Sequence, residues 1–381
     1  MPRYIHQNEN WTDIRWQDTV ISALLGEVRL LQGRILGWTD ALGFPSKEER
    51  KLDALTSDIM DSFRIEGEEL DREEIRSSVA RKLGSDIGGS VRTSRYTDGI
   101  VEMMLDATQN YRHPLTEERL FGWHASLFPT GYSGMNKIAV GKYRNEEMKV
   151  VSGATGKETV HYEAVPAKDV RKEMDAFLAW FNDREMKIDS VLKAAIAHLR
   201  FVTIHPFDDG NGRIARAISD MMLARSEGSA ERFYSMSKQI LAGRKEYYEM
   251  LKRTQRGNGD ITEWLAWFLN SLKRALQEAE DSMKCVLSKA AFWERCRGIS
   301  MNDRQRTMIN RLFDGFEGNL TAMKWAKMTK CSADTALRDI TDLIGKGILA
   351  KGEAGGRSAN YKLHAEHRSE KRNGGREQQN V

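Results

Sequence analysis

The chain has 381 residues, 30% of them charged and 40% from the AVILMFWYC set, with 6 Pro and 31 Gly; this excludes collagen-like, low-complexity and wholly disordered classes and leads one to expect two or three domains of ~100 to 200 residues. The net charge of +4 is unevenly spread, because residues 300–365 hold 11 Lys+Arg against 7 Asp+Glu and the residues before 300 are slightly acidic. The basic excess therefore bears on the partners of the C-terminal fifth and not on the rest.

The first element is a long helix, with Val20, Leu24, Val28, Leu31, Ile35 and Trp38 at steps of four and three forming one apolar stripe. It ends in the Gly- and Pro-bearing stretch 37–45, and helical spacing then dominates to residue 205. The exception is residues 142–165, where β-branched residues flank a Gly-rich turn and predict a β-hairpin. A buried helix with Leu192, Ala195, Ile196, Leu199 and Val202 stops at His205-Pro206, since proline disfavours helical geometry in the residue before it. A second helix with Ile214, Ile218, Met221 and Met222 begins near Gly212. More helices follow to about residue 296, and the tail 366–381 lacks apolar periodicity and is expected to be disordered. No stretch approaches the ~20 apolar residues that cross a bilayer and residues 1–16 lack a signal-peptide core, so no membrane contact and a cytoplasmic location are expected. Cys285, Cys296 and Cys331 fall in no metal-binding or redox spacing and read as reduced.

The densest chemistry lies in HPFDDGNGRIAR, residues 205–216. Gly210, Asn211 and Gly212 open a helix whose free N–H groups and dipole make an anion site. Arg213 and Arg216, three apart, share a helical face and suit two phosphoryl groups. Asp208 and Asp209 beside such phosphates suit Mg2+, a hard ion that takes few protein ligands. An imidazole at His205 can accept a proton from an attacking hydroxyl at neutral pH. The segment GNGRIA also fits the dinucleotide pattern, but that pattern needs a preceding strand and an acidic residue ~20 positions on, and neither is evident. A plain helix break with Asp209 as a cap accounts for each residue singly and not for their joint spacing.

This segment matches without a gap the signature HPFx[D/E]GNGRxxR, and residues 100–275 resemble the catalytic domain of the Fic family. The resemblance implies an all-helical core and transfer of AMP from ATP to a Ser, Thr or Tyr hydroxyl of a protein. It implies His205 as the base, Phe207 as the loop's anchor in the core and Asp209 as the Mg2+ ligand. Gly210, Asn211 and Gly212 would form the anion hole, with Asn211 on the α-phosphate, Arg213 on the β-phosphate and Arg216 on the γ-phosphate. The hairpin at 142–165 resembles the family's flap, which holds a target segment by main-chain pairing; Val151 and Ser152 are the positions placed there, and a purely structural lid is the alternative. GRKEYYEML resembles the nucleobase-side helix, making Tyr247, Tyr248 and Gln255 candidates for the adenosine pocket, although paired tyrosines at this spacing also suit a core.

Upstream, Ser62 to Gly67 reads S-x-x-x-E-G. This resembles the inhibitory motif of many family members and implies that Glu66 pairs with Arg216 and takes the guanidinium meant for the γ-phosphate. In some members the same glutamate is thought to help remove AMP, so a dual activity stays open. Residues 1–90 resemble the helical domain that precedes the core in many bacterial Fic proteins.

Residues 300–365 read as three helices and a hairpin and resemble a winged helix-turn-helix, with Ser332 as an N-cap. Their local charge fits phosphate, but Asp334, Asp339 and Asp342 against Arg338 alone weigh against a DNA groove, so DNA binding and protein docking or dimerisation both stay open. The expected architecture is mainly α: a helical N-terminal domain, a helical core with a β-hairpin flap, and a winged helix. The expected activity is protein adenylyl transfer held back by Glu66. The alternatives are AMP removal, transfer of another nucleotidyl or phosphoryl group, and a DNA-binding regulator with a sensor core. Expected partners are ATP, a protein with an exposed hydroxyl residue, the chain itself through self-modification or a homodimer, and DNA.

Overall fold

Helix N-termini capped by short polar side chains recur along the chain, as at Asp71, Ser94, Thr116, Asp189, Ser235 and Ser332. The result, in a computed structural model, is a mainly α protein with short strands only. The structure describes residues 3–39, 44–85, 91–152, 159–352 and 359–364. The chain divides into two compact units, Met1–Asp281 and Ser282–Val381.

The first unit contains α1 (Asp18–Thr39), α2 (Phe44–Ile65), α3 (Arg72–Leu83), α4 (Arg95–Gln109) and α5 (Glu117–Leu127). Two antiparallel hairpins follow, β1 (Tyr132–Ser133) with β2 (Asn136–Lys137), then β3 (Lys149–Ser152) with β4 (Thr159–Glu163). Next come α6 (Val170–Asn182), α7 (Ser190–Ile204), α8 (Asn211–Glu227), α9 (Met236–Ala242) and α10 (Arg244–Gln255), and α11 (Thr262–Arg295) contains the boundary. α7 is buried along nearly its whole length and packs on α8, which is why apolar residues occupy more than one stripe of it, with Lys193, His198 and Arg200 buried among them.

The N-terminal helices, expected as a domain of their own at 1–90, belong to the same unit as the core. Arg29 of α1 pairs with Asp189, the N-cap of α7, at 2.8 Å, and α2 packs on α9, α3, α4 and α8. The apolar stripe of α1 differs in one position: Val20 is 43% exposed and Ile21 takes its place in the core beside Val28, Leu31 and Ile35. At 3.6 residues per turn either neighbour extends the stripe, and packing selects Ile21.

The second unit contains α12 (Asp303–Phe313), α13 (Ala322–Thr329), α14 (Ala333–Gly345) and a hairpin of β5 (Leu349–Lys351) with β6 (Tyr361–Leu363), which Leu320 extends by a bridge to Tyr361. Its core gathers Met308, Ile309, Trp325, Ala336, Ile340 and Leu343. One sequence expectation is corrected here. Asp339 does not face outward; it is buried and accepts from Arg304 at 2.8 Å and from Asn302 at 2.8 Å, while Asp342 accepts from Gln305 and Lys346. Of the three aspartates weighed against a nucleic acid surface, Asp334 is exposed and is the one left without such a partner among the described residues. The Gly-rich tip at 353–358 and the tail at 366–381 lie outside the described residues.

Candidate nucleotidyl-transfer site

The site is built on the turn between α7 and α8. His205 closes α7 in the left-handed region, φ 54°, and its N–H still donates to Phe201 O at 2.9 Å. A non-glycine residue there is strained, so its surroundings must hold it. Arg144 does so: its Nε donates to His205 O at 2.7 Å, its backbone N–H to Pro206 O at 2.9 Å and its Nη2 to Val165 O at 2.5 Å. Phe207 is fully buried and stacks on His124 with centroids 4.2 Å apart. Next, the chain turns at Gly210, φ 81°, where a Cβ would lie 2.9 Å from the Phe128 ring. Glycine is thus required there both for its conformation and for space.

The His205 ring has a defined tautomer. Nδ1 lies 3.2 Å from Val202 O, and a carbonyl only accepts, so Nδ1 carries the proton and Nε2 keeps its lone pair. Burial lowers its pKa from 6.5 to about 4, the largest cause being loss of hydration. The imidazole is therefore neutral at pH 7.

α8 opens at Asn211 with Gly210 as its N-cap and no capping side chain, so its first N–H groups are not satisfied by a cap. Asn211 lines the cavity, and its side chain also braces the turn. Its Oδ1 accepts from Phe207 N at 3.0 Å and its Nδ2 donates to Phe207 O at 2.8 Å, so both amide ends staple the loop, and the backbone N–H and the second Nδ2 hydrogen are not used in these bonds. Asp208 accepts from Ala139 N at 2.8 Å. Asp209 accepts from Gly210 N at 2.5 Å and from the Ser133 hydroxyl in β1. No group of three or more His, Cys, Asp or Glu gathers as a metal site among the described residues. Asp209 fits Mg2+ as a single half-exposed carboxylate, because that ion keeps water and phosphate oxygens as its other ligands.

Arg213 and Arg216 are each 2% exposed. Arg216 donates through Nε to Ser62 Oγ at 2.8 Å, and through Nη2 to Ser62 O at 2.7 Å and Glu66 Oε1 at 2.8 Å. Burial opposes its charge, but Glu66 raises its pKa above the ordinary guanidinium value. Tyr248 donates to Glu66 Oε2 at 3.2 Å, and a Cβ on Gly212 would collide with Glu66 Oε1. The Glu66 carboxylate thus lies against the open first turn of α8. Arg213 lies between the Phe63 and Phe128 rings, 5.1 Å from each, and donates to Glu68 Oε1 at 2.8 Å. Gly67, φ 87°, turns the chain so that residues 66 and 68 both reach α8.

Residues 114–223 match a family described as Fic/DOC, and residues 4–85 match one described as a domain of unknown function, DUF4172. Among proteins similar to the chain is a protein adenylyltransferase Fic from Nematostella vectensis, 30% identical over 36% of this chain and 29% of its own length. Another is a uridine 5'-monophosphate transferase from Xanthomonas campestris, 30% identical over 29% of this chain and 21% of its own. The chain thus spans less than a third of these curated relatives. A solved Fic family protein from Desulfovibrio desulfuricans shares the fold, with a TM-score of 0.52 at 20% identity, over 93% of this chain and 97% of that one.

A cavity of about 640 Å³ in the first unit is lined by His205, residues 208–213, Glu66, the β3–β4 hairpin and α10. Val151 is half-exposed on that hairpin, next to a register shift between Val150 and Val151. Ser152 pairs through its backbone with Thr159, and its side chain lies outside the described residues. Tyr162 of β4 donates to Thr203 O at 2.7 Å, tying the hairpin to α7. The two tyrosines differ: Tyr247 is 1% exposed and bonds His198 at 2.8 Å, whereas Tyr248 is 40% exposed and touches Glu66. Gln255 is buried, with weak contacts to Val202 O and Thr203 Oγ1. Ser133, Arg144 and Glu68 went unread in the sequence. The glycines at 131 and 134, both left-handed, were the available signal for the β1–β2 turn, and nothing local marks Arg144 or Glu68.

Proposed function

We propose that the first unit is a protein adenylyltransferase, moving AMP from ATP to a hydroxyl side chain of a protein, and that Glu66 holds it inactive. The observation that carries this reading is the joint placement of a neutral His205, an uncapped helix N-terminus and the buried Arg213 around one cavity, with the buried Arg216 paired to Glu66, which lines the same cavity. Arg213 Nε and Arg216 Nη1 are buried without a hydrogen-bond partner among the described residues, which leaves donors for phosphate oxygens. His205 Nε2 takes the proton as the acceptor oxygen forms its bond to the α-phosphorus and the bond to the leaving pyrophosphate breaks. The polyanionic nucleotide beside the imidazole raises its proton affinity from the low value that burial imposes. The first N–H groups of α8 stabilise the charge on the α-phosphoryl oxygens, while Arg213 and Arg216 hold the β- and γ-phosphates. Mg2+, held by Asp209, would neutralise phosphate charge.

In the resting chain Glu66 takes the Nη2 edge of Arg216 and fills space at Gly212, so a triphosphate cannot seat its γ-phosphate without displacing it. Val151 and Ser152 are read as strand positions for the target segment, and Tyr248, with Gln255 behind it, as the nucleoside side of the cavity. The Xanthomonas relative's name leaves uridylyl transfer as the second reading of the same site. Intact-mass measurement of the Glu66→Gly chain with each nucleoside triphosphate and Mg2+ decides between them: an AMP adduct supports the proposal, a UMP adduct supports the second reading, and no adduct on chain or added protein overturns both. For the second unit the proposed form is a winged helix. The inward commitment of Asp339 leaves a polyanion admissible, and a salt-dependent shift of duplex DNA separates that from protein docking.

A further inference from the structure

Arg213 is a guanidinium held between two aromatic rings, Phe63 and Phe128, each 5.1 Å from it, and between two carboxylates. Glu68 Oε1 accepts from its Nη1 at 2.8 Å, whereas Asp209 Oδ1 stands 3.6 Å from Nη2. Each ring offers the guanidinium an aromatic face, a contact that favours its charge. Glu68 is itself fixed from behind, because the Tyr96 hydroxyl on α4 donates to its Oε2 at 2.7 Å. The ordering of distances has a chemical consequence. A guanidinium released from Glu68 has Asp209 as its other carboxylate neighbour, already at 3.6 Å, and a carboxylate closed into a bidentate pair with arginine has less to offer a divalent cation.

We propose that Glu68 is a positioning residue: it holds Arg213 off Asp209 and so keeps that carboxylate available to the cation that accompanies the triphosphate. The inference rests on the nucleotide-binding reading above and adds a role for a residue outside the 205–216 segment. It separates the two acids of one short stretch. Glu66 takes Arg216 from the nucleotide, and Glu68 presents Arg213 to it. Tyr96 acts one step further out, since it fixes the carboxylate that fixes the guanidinium.

The test uses the full chain carrying Glu66→Gly, with and without Glu68→Gln, an isosteric change at a side chain that is 40% exposed. ATP binding is titrated calorimetrically across a series of Mg2+ concentrations. Glu68→Gln should leave metal-free ATP affinity within about twofold and raise the Mg2+ concentration for half-maximal affinity by about tenfold, the lower range for loss of a residue behind a metal ligand. Tyr96→Phe should shift it the same way by less, and Glu68→Asp should recover part of the loss. Tighter ATP binding at every Mg2+ concentration would make Glu68 a second brake and overturn the proposal, as would an unchanged Mg2+ dependence. A crystal structure of the Glu68→Gln chain decides the point without nucleotide: Arg213 should close on Asp209 to hydrogen-bond distance, and an unmoved guanidinium contradicts the inference. Should the Glu66→Gly chain bind no nucleotide at all, the functional reading fails, and that structure still judges Glu68.

Discussion

Two places in the molecule share a local design: a helix that ends on a left-handed residue, a short turn and a second helix. His205 ends α7 at φ 54° and Lys330 ends α13 at φ 53°, and they are the two non-glycine residues with positive φ among the described residues. At Lys330 the turn is exposed, and the next helix is closed by Ser332 Oγ, which accepts from Thr335 N at 3.2 Å. At His205 the turn is packed by Phe207, Arg144 and Asn211, and the next helix opens on Gly210 with no side-chain cap. The same backbone device therefore serves two ends. One helix satisfies its own N-terminus, and the other has no side-chain cap, which leaves its N–H groups open for the nucleotide proposed above.

Breaking the contrast at His205 has the largest expected effect. His205→Ala should lower transfer by about 10²- to 10⁴-fold, the usual worth of a positioned general base, while ATP binding to the Glu66→Gly chain persists. Glu66→Gly should raise self-modification by about tenfold or more, the factor that ~1.4 kcal/mol of relieved competition gives, measured by adduct formation over time. A pH profile sharpens the point. Burial lowers the His205 pKa to about 4, so the base form persists as pH falls through 6.5. Its acid limb in the free enzyme should lie near 4, and the stability that this neutral imidazole contributes is likewise complete above 6.5 and lost towards 4. An inflection at 6.5 in kcat/KM would show an unburied imidazole.

Smaller effects belong to the other turn. Ser332→Ala should destabilise the second unit by about 1 kcal/mol in a denaturant titration, because it leaves the Thr335 N–H without its cap. Lys330→Gly should stabilise it by up to about 1 kcal/mol through relief of the left-handed strain. The corresponding His205→Gly relieves the same strain and should still abolish transfer, which separates strain that carries chemistry from strain that does not.

How much was legible follows chain distance. The 205–216 segment could be read because helix break, anion hole and both arginines are contiguous, and helical spacing fixes which of them share a face. Ser62 and Glu66, four apart near the end of α2, were read from the resemblance of S-x-x-x-E-G to a known motif and not from spacing. Glu68 was not legible, since its partner lies 145 positions away and a glutamate after a Gly turn has no periodicity to betray its contact. Arg144 and Ser133 likewise act through loops whose geometry no local pattern specifies. Asn211 was placed at the site, but its inward role depends on the curl of the 207–211 turn. Asp339 misled for the opposite reason: spacing on α14 gives a face only once its neighbours are known, and Arg304 with Asn302 turned that face inward.

The most direct measurement compares ATP labelled at the α- and γ-phosphate, offered with Mg2+ to the Glu66→Gly chain alone and with candidate protein acceptors. Covalent label from the α-position, with pyrophosphate released and the label lost on adding His205→Ala, is the predicted result. Label from the γ-position, or α-label that survives His205→Ala, would contradict adenylyl transfer by His205.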